Sequence, residues 1–463
     1  MKTLTPTEGL PWRLKPFPEL VRLAWPITVS MLSYSVMTLV DTIFAGRLGA
    51  SALGAVGFGG VVTFTVFCFG MGLLRAPKII VSQAVGAGLR GRVAGSIGAG
   101  LVVAVVLGFL TATVGQIVSL ELPHVADESA AVKLAQRYVA IRLFGAPLLF
   151  VGYVIREVRC ALSDARSPMR AALLANLLHV PLNATLIFAL GLGVAGAAIS
   201  TVISQAVEMA LLLVIQREDG YGLAQVTRRD VRELWNVGWP LGVERFLNVA
   251  SFTVLVSLVA RTSDTDLAAH QVAHQVNLFA ILPMMSVAEA AAVLAGQAVG
   301  ANEDDLVKRI ARTAAFTGTA YGIVCAFVYV TCGPLLVHAL SSEPAVRHLA
   351  VRLLWIGAAW QAFDALYLVG GSVLRGAGDV RFATTAMVVI AWVVTPPLVL
   401  LLGVHFRMGA VGGWLALLAE WAVGAGTLWL RIERGGFLRA AHRARARLRS
   451  FDAEDLVPAP LSP

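Results

Sequence analysis

Charge is scarce in this sequence. Of its 463 residues only 14% are Asp, Glu, Lys or Arg, while 57% are hydrophobic and the mean hydropathy is +0.76. A water-soluble globule of this composition would have too little polar surface to stay in solution, so a soluble fold is excluded. Cysteine is nearly absent too. Cys68, Cys160, Cys325 and Cys332 all fall inside or at the ends of apolar stretches, which leaves no pair for a disulfide framework. Glycine-rich stretches such as Gly54 to Gly60 lack the Gly-Lys-Ser/Thr ending of a phosphate-binding loop. No other catalytic motif is legible, so the chain reads as a non-enzyme without cofactor. Met1 to Pro18 is polar and proline-rich, and no cleavable signal is expected there.

What is present is a series of long uncharged runs. Arg22 to Asp41 encloses 18 uncharged residues, Arg47 to Arg75 encloses 27, Arg92 to Glu121 encloses 28 and Arg312 to Glu343 encloses 30. About 20 apolar residues cross a bilayer as a helix. The run from Arg170 to Glu208 is long enough for two crossings, divided at Gly191 to Gly196. The expected spans are 18–45, 52–76, 93–120, 136–162, 169–190, 194–215, 235–261, 267–298, 312–340, 350–375, 381–403 and 408–431. Leu-Val-Ala-Gly richness without ten-residue alternation excludes a β-barrel. The fold class is therefore an all-α polytopic membrane protein of twelve transmembrane helices.

Basic residues set the orientation. With both termini in the cytoplasm, the inner side receives Lys2, Arg13, Lys15, Arg22, Arg90, Arg92, Arg166, Arg170, Arg217, Arg228, Arg229, Arg232, Lys308, Arg309, Arg312, Arg375 and Arg381. The outer loops receive only Arg47, Lys133, Arg261, Arg347 and Arg407, with Arg352 at a helix end. The net charge of +9 is thus topology, not a nucleic-acid footprint. The C-terminal run Arg431, Arg434, Arg439, Arg443, Arg445, Arg447 and Arg449 reads either as an amphipathic helix on anionic headgroups or as a solvated basic tail. From Asp452 to Pro463 the composition suggests disorder.

The chain is also written twice. Trp25-Pro26 recurs as Trp239-Pro240, and Gln83-Ala84-Val85-Gly86-Ala87 recurs as Gln297-Ala298-Val299-Gly300-Ala301, both 214 positions later. At the same offset Arg47 falls on Arg261 and Leu53 on Leu267. Arg159 to Asp164 matches Arg375 to Asp379, one residue shorter. Duplicated six-helix halves are a common layout for secondary transporters. The expected organisation is a cytoplasmic segment 1–17, an N-lobe 18–215, a cytoplasmic linker 216–234, a C-lobe 235–432 and a basic cytoplasmic tail 433–463.

Several motifs resemble one family. Leu23-Ala24-Trp25-Pro26, then Val40-Asp41-Thr42-Ile43-Phe44-Ala45-Gly46-Arg47-Leu48-Gly49, is similar to the first helix and loop of multidrug and toxic compound extrusion (MATE) transporters. Ala268-Ala269-His270-Gln271 and Ala295 to Ala301 resemble the start and end of that family's eighth helix. Gln361-Ala362-Phe363-Asp364 and Leu374 to Asp379 resemble its tenth helix and following loop. The resemblance covers roughly residues 18 to 432 in order. It implies two pseudo-symmetric six-helix bundles facing a cleft, and export of bulky, often cationic compounds driven by inward Na⁺ or H⁺.

An ionisable residue at membrane depth is costly, so each is a functional candidate. Asp41, near the outer end of the first span, is either a cation-binding carboxylate or an interfacial residue paired with Arg47; the family has an acid here. Asp364 lies mid-span, eleven uncharged residues after Arg352, too deep for a short side chain to snorkel. Family members with a C-lobe cation site carry their carboxylate in this Gln-x-x-Asp context. Glu244 follows Pro240, whose freed carbonyl offers a further oxygen, so Na⁺ at Asp364 and Glu244 is one reading and a cytoplasm-facing ion pair is the other. The family's carboxylate sits a turn later, where this chain has Asn248. Glu289 falls in register with Arg75 at the 214 offset, which suggests either an inter-lobe gate or two local pairs. Asn183, Asn248, Gln271 and Asn277 are expected as supporting polar cleft residues. One family branch has an acid in an Asn-x-x-Leu-Asp pattern on its fifth helix. Asn183 is neutral there, which favours a C-lobe cation site, as in the NorM-like branch. His179, His270 and His274 read as titratable groups or as hydrogen-bonded helix contacts. Arg156, Glu157 and Arg159 read as a local ionic cluster, and Glu208 and Glu420 as structural carboxylates.

The function expected is cation-coupled export of small organic cations from a monomer embedded in the lipid of a bacterial inner membrane. A lipid-linked oligosaccharide flippase of related build is the first alternative. An ion channel or a non-transporting scaffold is the second.

Overall fold

The computed structural model describes residues 10, 12–125 and 129–455. Among the described residues there is no β-strand. In chain order the helices are α1 (Pro16–Arg47), α2 (Ala50–Leu73), α3 (Ala76–Gly86), α4 (Arg90–Val125), α5 (Ala130–Phe144), α6 (Ala146–Ala161), α7 (Arg166–Ala184) and α8 (Gly193–Gln216). There follow α9 (Arg228–Ala260), α10 (Asp264–Gly300), α11 (Asp304–Leu340), α12 (Pro344–Gly376), α13 (Val380–Leu398), α14 (Gly409–Glu433) and α15 (Leu438–Asp455). Among the described residues eleven stretches are long and apolar enough to cross a membrane, counting α2 with α3 as one; the bent pair α5 and α6 makes the twelfth when taken as a single span. The chain is a multi-pass membrane protein.

Two differences from the expected spans have clear causes. The span expected as one helix over 136–162 is broken at Gly145 and bent by 50°. Pro147 has no N–H to continue the ladder of α5, but in the first turn of α6 that donor would be unpaired anyway. The helices also overrun the apolar runs. α11 starts at Asp304, eight residues before the expected 312, because hydropathy reports the hydrocarbon slab while the helix continues into water. Asp304 and Asp305 in its first turn complement the helix dipole. At the start of α9, Thr227 and Asp230 cap one another: the Thr227 N–H donates to Asp230 Oδ2 at 2.9 Å and the Asp230 N–H to Thr227 Oγ1 at 3.2 Å.

The described chain separates into two compact units. The first contains Pro26–Val81 and Val93–Phe246; the second contains described residues of Thr5–Trp25, Ser82–Arg92 and Leu247–Pro463. The division passes through α1, the α3–α4 region and α9. In the first unit α8 packs against α5, α6 and α7, and α2 against α5. In the second unit α12 is central, against α10, α11 and α14. Its core is aromatic: Trp360 and Trp414 stack at 4.7 Å, with Trp421 beyond and the His270 ring edge-on to Trp414.

The repeat is visible in the backbone. π-helical turns occur at Thr185–Ala189 and Val399–His405, whose first residues are again 214 apart. Each follows a helix-interior proline, Pro181 in one and Pro396-Pro397 in the other, the usual setting for a widened turn. The two copies of Gln-Ala-Val-Gly-Ala both belong to the second unit, and they cross backbone to backbone. A Cβ on Gly86 would stand 2.0 Å from the Gln297 carbonyl oxygen, and one on Gly300 would stand 2.0 Å from that of Gln83. Each glycine admits the other copy's glutamine carbonyl, so the motif recurs because it is half of a reciprocal contact. Gln83 Nε2 also donates to the Gly376 carbonyl at 2.9 Å, tying the crossing to the end of α12.

The basic tail is helical, and its apolar face is turned into the protein. It forms α15, with Phe437, Ala440, Ala441, Ala444 and Leu448 buried. Arg445 makes a two-pronged pair with Asp304 at 2.6 and 3.0 Å. The apolar face is therefore covered by the protein itself, not free for lipid. The helix also runs to Asp455, past the point where disorder was expected; residues 456–463 lie outside the described residues.

Gly86→Ala and Gly300→Ala are each expected to destabilise the second unit by roughly 1–3 kcal/mol, the cost of overpacking against an unyielding neighbour. Thermal unfolding in detergent measures it. A melting temperature equal to that of Gly426→Ala, where a Cβ meets nothing within 4 Å, would refute the crossing as a tight constraint.

Candidate functional site

In the first unit, α7 carries His179 and Asn183 one turn apart, and α8 carries Ser200 and Ser204 one turn apart. Helical i, i+4 spacing puts each pair on one face. The two faces meet Asp41 of α1, which is 6% exposed, while His179 and Asn183 are 0% exposed. Asn183 Nδ2 donates to Asp41 Oδ1 at 2.6 Å, and His179 Nε2 lies 2.8 Å from the same oxygen. The Ser200 hydroxyl bonds Asn183 Oδ1 at 2.9 Å and so orients its amide toward the carboxylate.

On the far side of the ring, the Ser204 hydroxyl donates to the Ser200 carbonyl at 2.8 Å and lies 3.2 Å from His179 Nδ1. Both ring nitrogens of His179 thus have polar neighbours, and the imidazole is held between α8 and the Asp41 carboxylate.

Toward the other end of α1, Tyr34 bridges a second ionic group. Its hydroxyl donates to Glu208 of α8 and accepts from Arg156 Nη1 at 3.0 Å. The Arg156 guanidinium lies over the Tyr153 ring at 4.7 Å and the Tyr34 ring at 5.5 Å. These groups line a cavity of about 240 Å³ whose other walls include Met37, Met71, Met209 and Leu149. Asn176 Nδ2 donates to Ser33 Oγ at 2.5 Å beside it. Methionines make an adaptable apolar wall, and Glu208 with Arg156 supplies a carboxylate and its countercharge. Deeper in the unit, Lys78 pairs with Glu157 at 2.5 Å, both nearly buried. Arg75, on the turn between α2 and α3, acts electrostatically on the same pair.

In the second unit, Asp364 is 0% exposed on α12. Neither of its oxygens has a hydrogen-bond partner among the described residues, and neither does Gln361 Oε1, one turn earlier. Gln361 Nε2 reaches Asn277 Oδ1 at 3.3 Å, which also accepts the Tyr329 hydroxyl at 3.0 Å. Tyr321, Cys325 and Tyr329 of α11 are the electrostatic neighbours of the carboxylate. His270 accepts the Trp414 indole N–H at Nδ1 (3.1 Å) and stacks parallel to His274 at 5.9 Å. Glu420 accepts the Thr395 hydroxyl.

The remaining sequence candidates are dispersed. Glu244 is buried in the part of α9 that belongs to the first unit, and Asn248 is half-buried in the part that belongs to the second. Glu289 is half-buried on α10, and Gln271 is exposed. No cluster of three or more His, Cys, Asp or Glu suited to a metal ion occurs among the described residues. Sequence reasoning set Glu208 aside as structural and gave His179 no partner. The signal for His179 was its i, i+4 spacing from Asn183; for the Tyr34 bridge there was none.

A family model described as MatE matches residues 26–185 and 240–401, two stretches whose starts are 214 apart. A "Probable multidrug resistance protein NorM" of Bradyrhizobium diazoefficiens is 30% identical over 442 residues, covering 90% of this chain and 93% of that protein. One of the same name from Acinetobacter baylyi is 26% identical, covering 90% and 95%. Among solved structures, the Vibrio cholerae MATE transporter VcmN in its bent form is similar with a TM-score of 0.84 at 23% identity, over 93% of this chain and 99% of that one. A duplicated all-helical membrane fold with isolated buried carboxylates defines a transporter, not an enzyme. The chain belongs to the MatE family, the multidrug and toxic compound extrusion transporters.

Asp41→Ala removes the oxygen that His179 and Asn183 share and is expected to destabilise the first unit by roughly 1–3 kcal/mol, the cost of leaving buried polar groups unpaired. Thermal unfolding in detergent measures this, and a melting temperature equal to that of the parent would refute the cluster as a structural constraint.

Proposed function

We propose that the chain is a secondary exporter of bulky organic cations, coupled to inward movement of a cation that binds Asp364. The observation that carries this reading is the isolation of that carboxylate. Burying an ionised carboxylate without donor or countercharge costs several kcal/mol, so the group must hold either a proton or a metal cation. The two Asp364 oxygens and Gln361 Oε1 are three hard acceptors within one helical turn, a set that suits Na⁺ or H⁺ and no soft metal. One charge crossing 100 mV supplies about 2.3 kcal/mol.

The first-unit cavity is our candidate for the cargo. The Glu208 carboxylate would meet a cationic ligand, and the methionine walls would accept varied aromatic bodies, in keeping with relatives named as multidrug resistance proteins. A second coupling site is favoured by the contact of the buried Asp41 carboxylate with the His179 ring at 2.8 Å. Alternating access, a monomeric state, both termini in the cytoplasm and residence in a bacterial inner membrane complete the proposal; the distribution of basic residues supports the orientation.

Efflux from proteoliposomes, with Na⁺ and pH gradients imposed separately, tests it. Asp364→Asn keeps the volume of the side chain but cannot neutralise a cation, so gradient-driven efflux should be lost with the melting temperature preserved or raised. Wild-type efflux from this variant would remove Asp364 from the mechanism. Loss of only the pH-driven component on Asp41→Asn, with Na⁺-driven efflux intact, is the outcome expected if the two sites carry different ions.

A further inference from the structure

α15 presents a basic face that the transport reading does not use. Its apolar face and Arg445 are turned inward, as described above. The opposite stripe carries Arg439, His442, Arg443 and Ala446, all exposed, with Arg447 half-buried beside them. Arg381, exposed in the first turn of α13, joins this stripe: burial first, then Arg443 and Arg381, press the Arg447 guanidinium below its usual value. Three carboxylates at this end of the unit are engaged by other arginines, Asp304 by Arg445, Asp379 by Arg431 at 2.9 Å and Glu433 by Arg312 at 2.7 Å. Like charges are gathered on this stripe while these three acids serve elsewhere.

The level of the patch identifies what it meets. Arg381 begins a membrane-spanning stretch, Val380–His405, and Arg434 caps the end of another, Gly409–Glu433. Farther along α13, Val389 and Val393 are 50% and 65% exposed, as a lipid-facing surface requires. The patch therefore stands where hydrocarbon gives way to headgroups. We propose that Arg381, Arg439 and Arg443 form a docking surface for the headgroups of anionic phospholipid in the surrounding leaflet. Because the apolar face of α15 is already buried, the attraction is electrostatic and the helix does not insert. That distinguishes it from an amphipathic helix lying in the interface. Such contact falls off within a Debye length and is weakened by salt.

The test uses the full-length chain with Cys332→Ser and Ala446→Cys, a fluorophore on the new thiol, and nanodiscs of phosphatidylcholine containing increasing phosphatidylglycerol with a headgroup quencher. Quenching should rise with the phosphatidylglycerol fraction and fall with salt. In Arg381→Gln/Arg439→Gln/Arg443→Gln the apparent affinity should drop by roughly fivefold per charge, about a hundredfold in all, the scale of a basic residue near an anionic surface. The corresponding triple lysine variant should bind like the parent, which separates lost charge from misfolding. Equal quenching when the quencher is carried by phosphatidylcholine alone, no loss in the glutamine variant, or equal loss in the lysine variant would each overturn the proposal.

Discussion

A carboxylate taken out of water must be neutralised, and this requirement organises the interior of the protein. Five acids, four of them buried and Glu208 half-buried, meet it in different ways. Glu157 has the Lys78 ammonium, and Glu208 has a phenol bridged to Arg156. Glu420 has one threonine hydroxyl. Asp41 has an imidazole and an amide. Asp364 alone among these five has neither oxygen bonded within the described protein. Ion pairs and hydrogen bonds of the first kind lock helices together, since breaking one strands a charge at a cost of about 3–5 kcal/mol. A carboxylate left without a partner stabilises nothing.

The scaffold that holds these acids is fixed by close backbone approach more than by side-chain bulk. The crossing of the two Gln-Ala-Val-Gly-Ala copies is one instance. Gly72 in the first unit is another: a Cβ there would stand 2.4 Å from the Leu241 carbonyl. Between helices in lipid there is little hydrophobic gain, because acyl chains are as apolar as leucine. Close packing of small residues supplies the attraction instead. Glycine therefore marks the helix crossings, and the polar sites lie on the helix faces those crossings hold apart.

The sequence made legible what depends on composition along one helix. Spans, their number and the depth of Asp364 follow from charge spacing, which is local, and the duplication follows from motifs that recur 214 positions apart. The break at Gly145 was missed because apolar runs say nothing of backbone geometry, although Pro147 was in view. The sites built from several helices were legible only in part. Asp41 was visible as an acid, but its partners are 138 and 142 residues away. Pairing across that distance leaves no pattern in a single sequence. Tyr34 is less legible still: a tyrosine in an apolar run is ordinary, and only the meeting of α1, α6 and α8 makes it a bridge between Glu208 and Arg156. Asn183 is neutral in the sequence, and only the structure shows that its amide, with the His179 ring one turn earlier, meets the Asp41 carboxylate.

The duplication itself is not functional symmetry. At the offset that superposes the two halves, Asp41 falls on Leu255, and Asp364 falls between Leu148 and Phe150 as the register shifts. Leu255 and Phe150 are both 0% exposed core residues. What recurs is the framework: the Trp-Pro pairs, the glycine crossing and the π-helical turns that follow the prolines. These are the features that membrane packing demands of any six-helix bundle of this design. What does not recur is the position of the acid, Asp41 on α1 in one half and Asp364 on α12 in the other. The first is held by an imidazole and an amide, and the second has no bonded oxygen among the described residues. The other copy fills these positions with leucine or phenylalanine, so the repeated framework packs without either carboxylate, and each acid is an addition to the repeat, not a part of it.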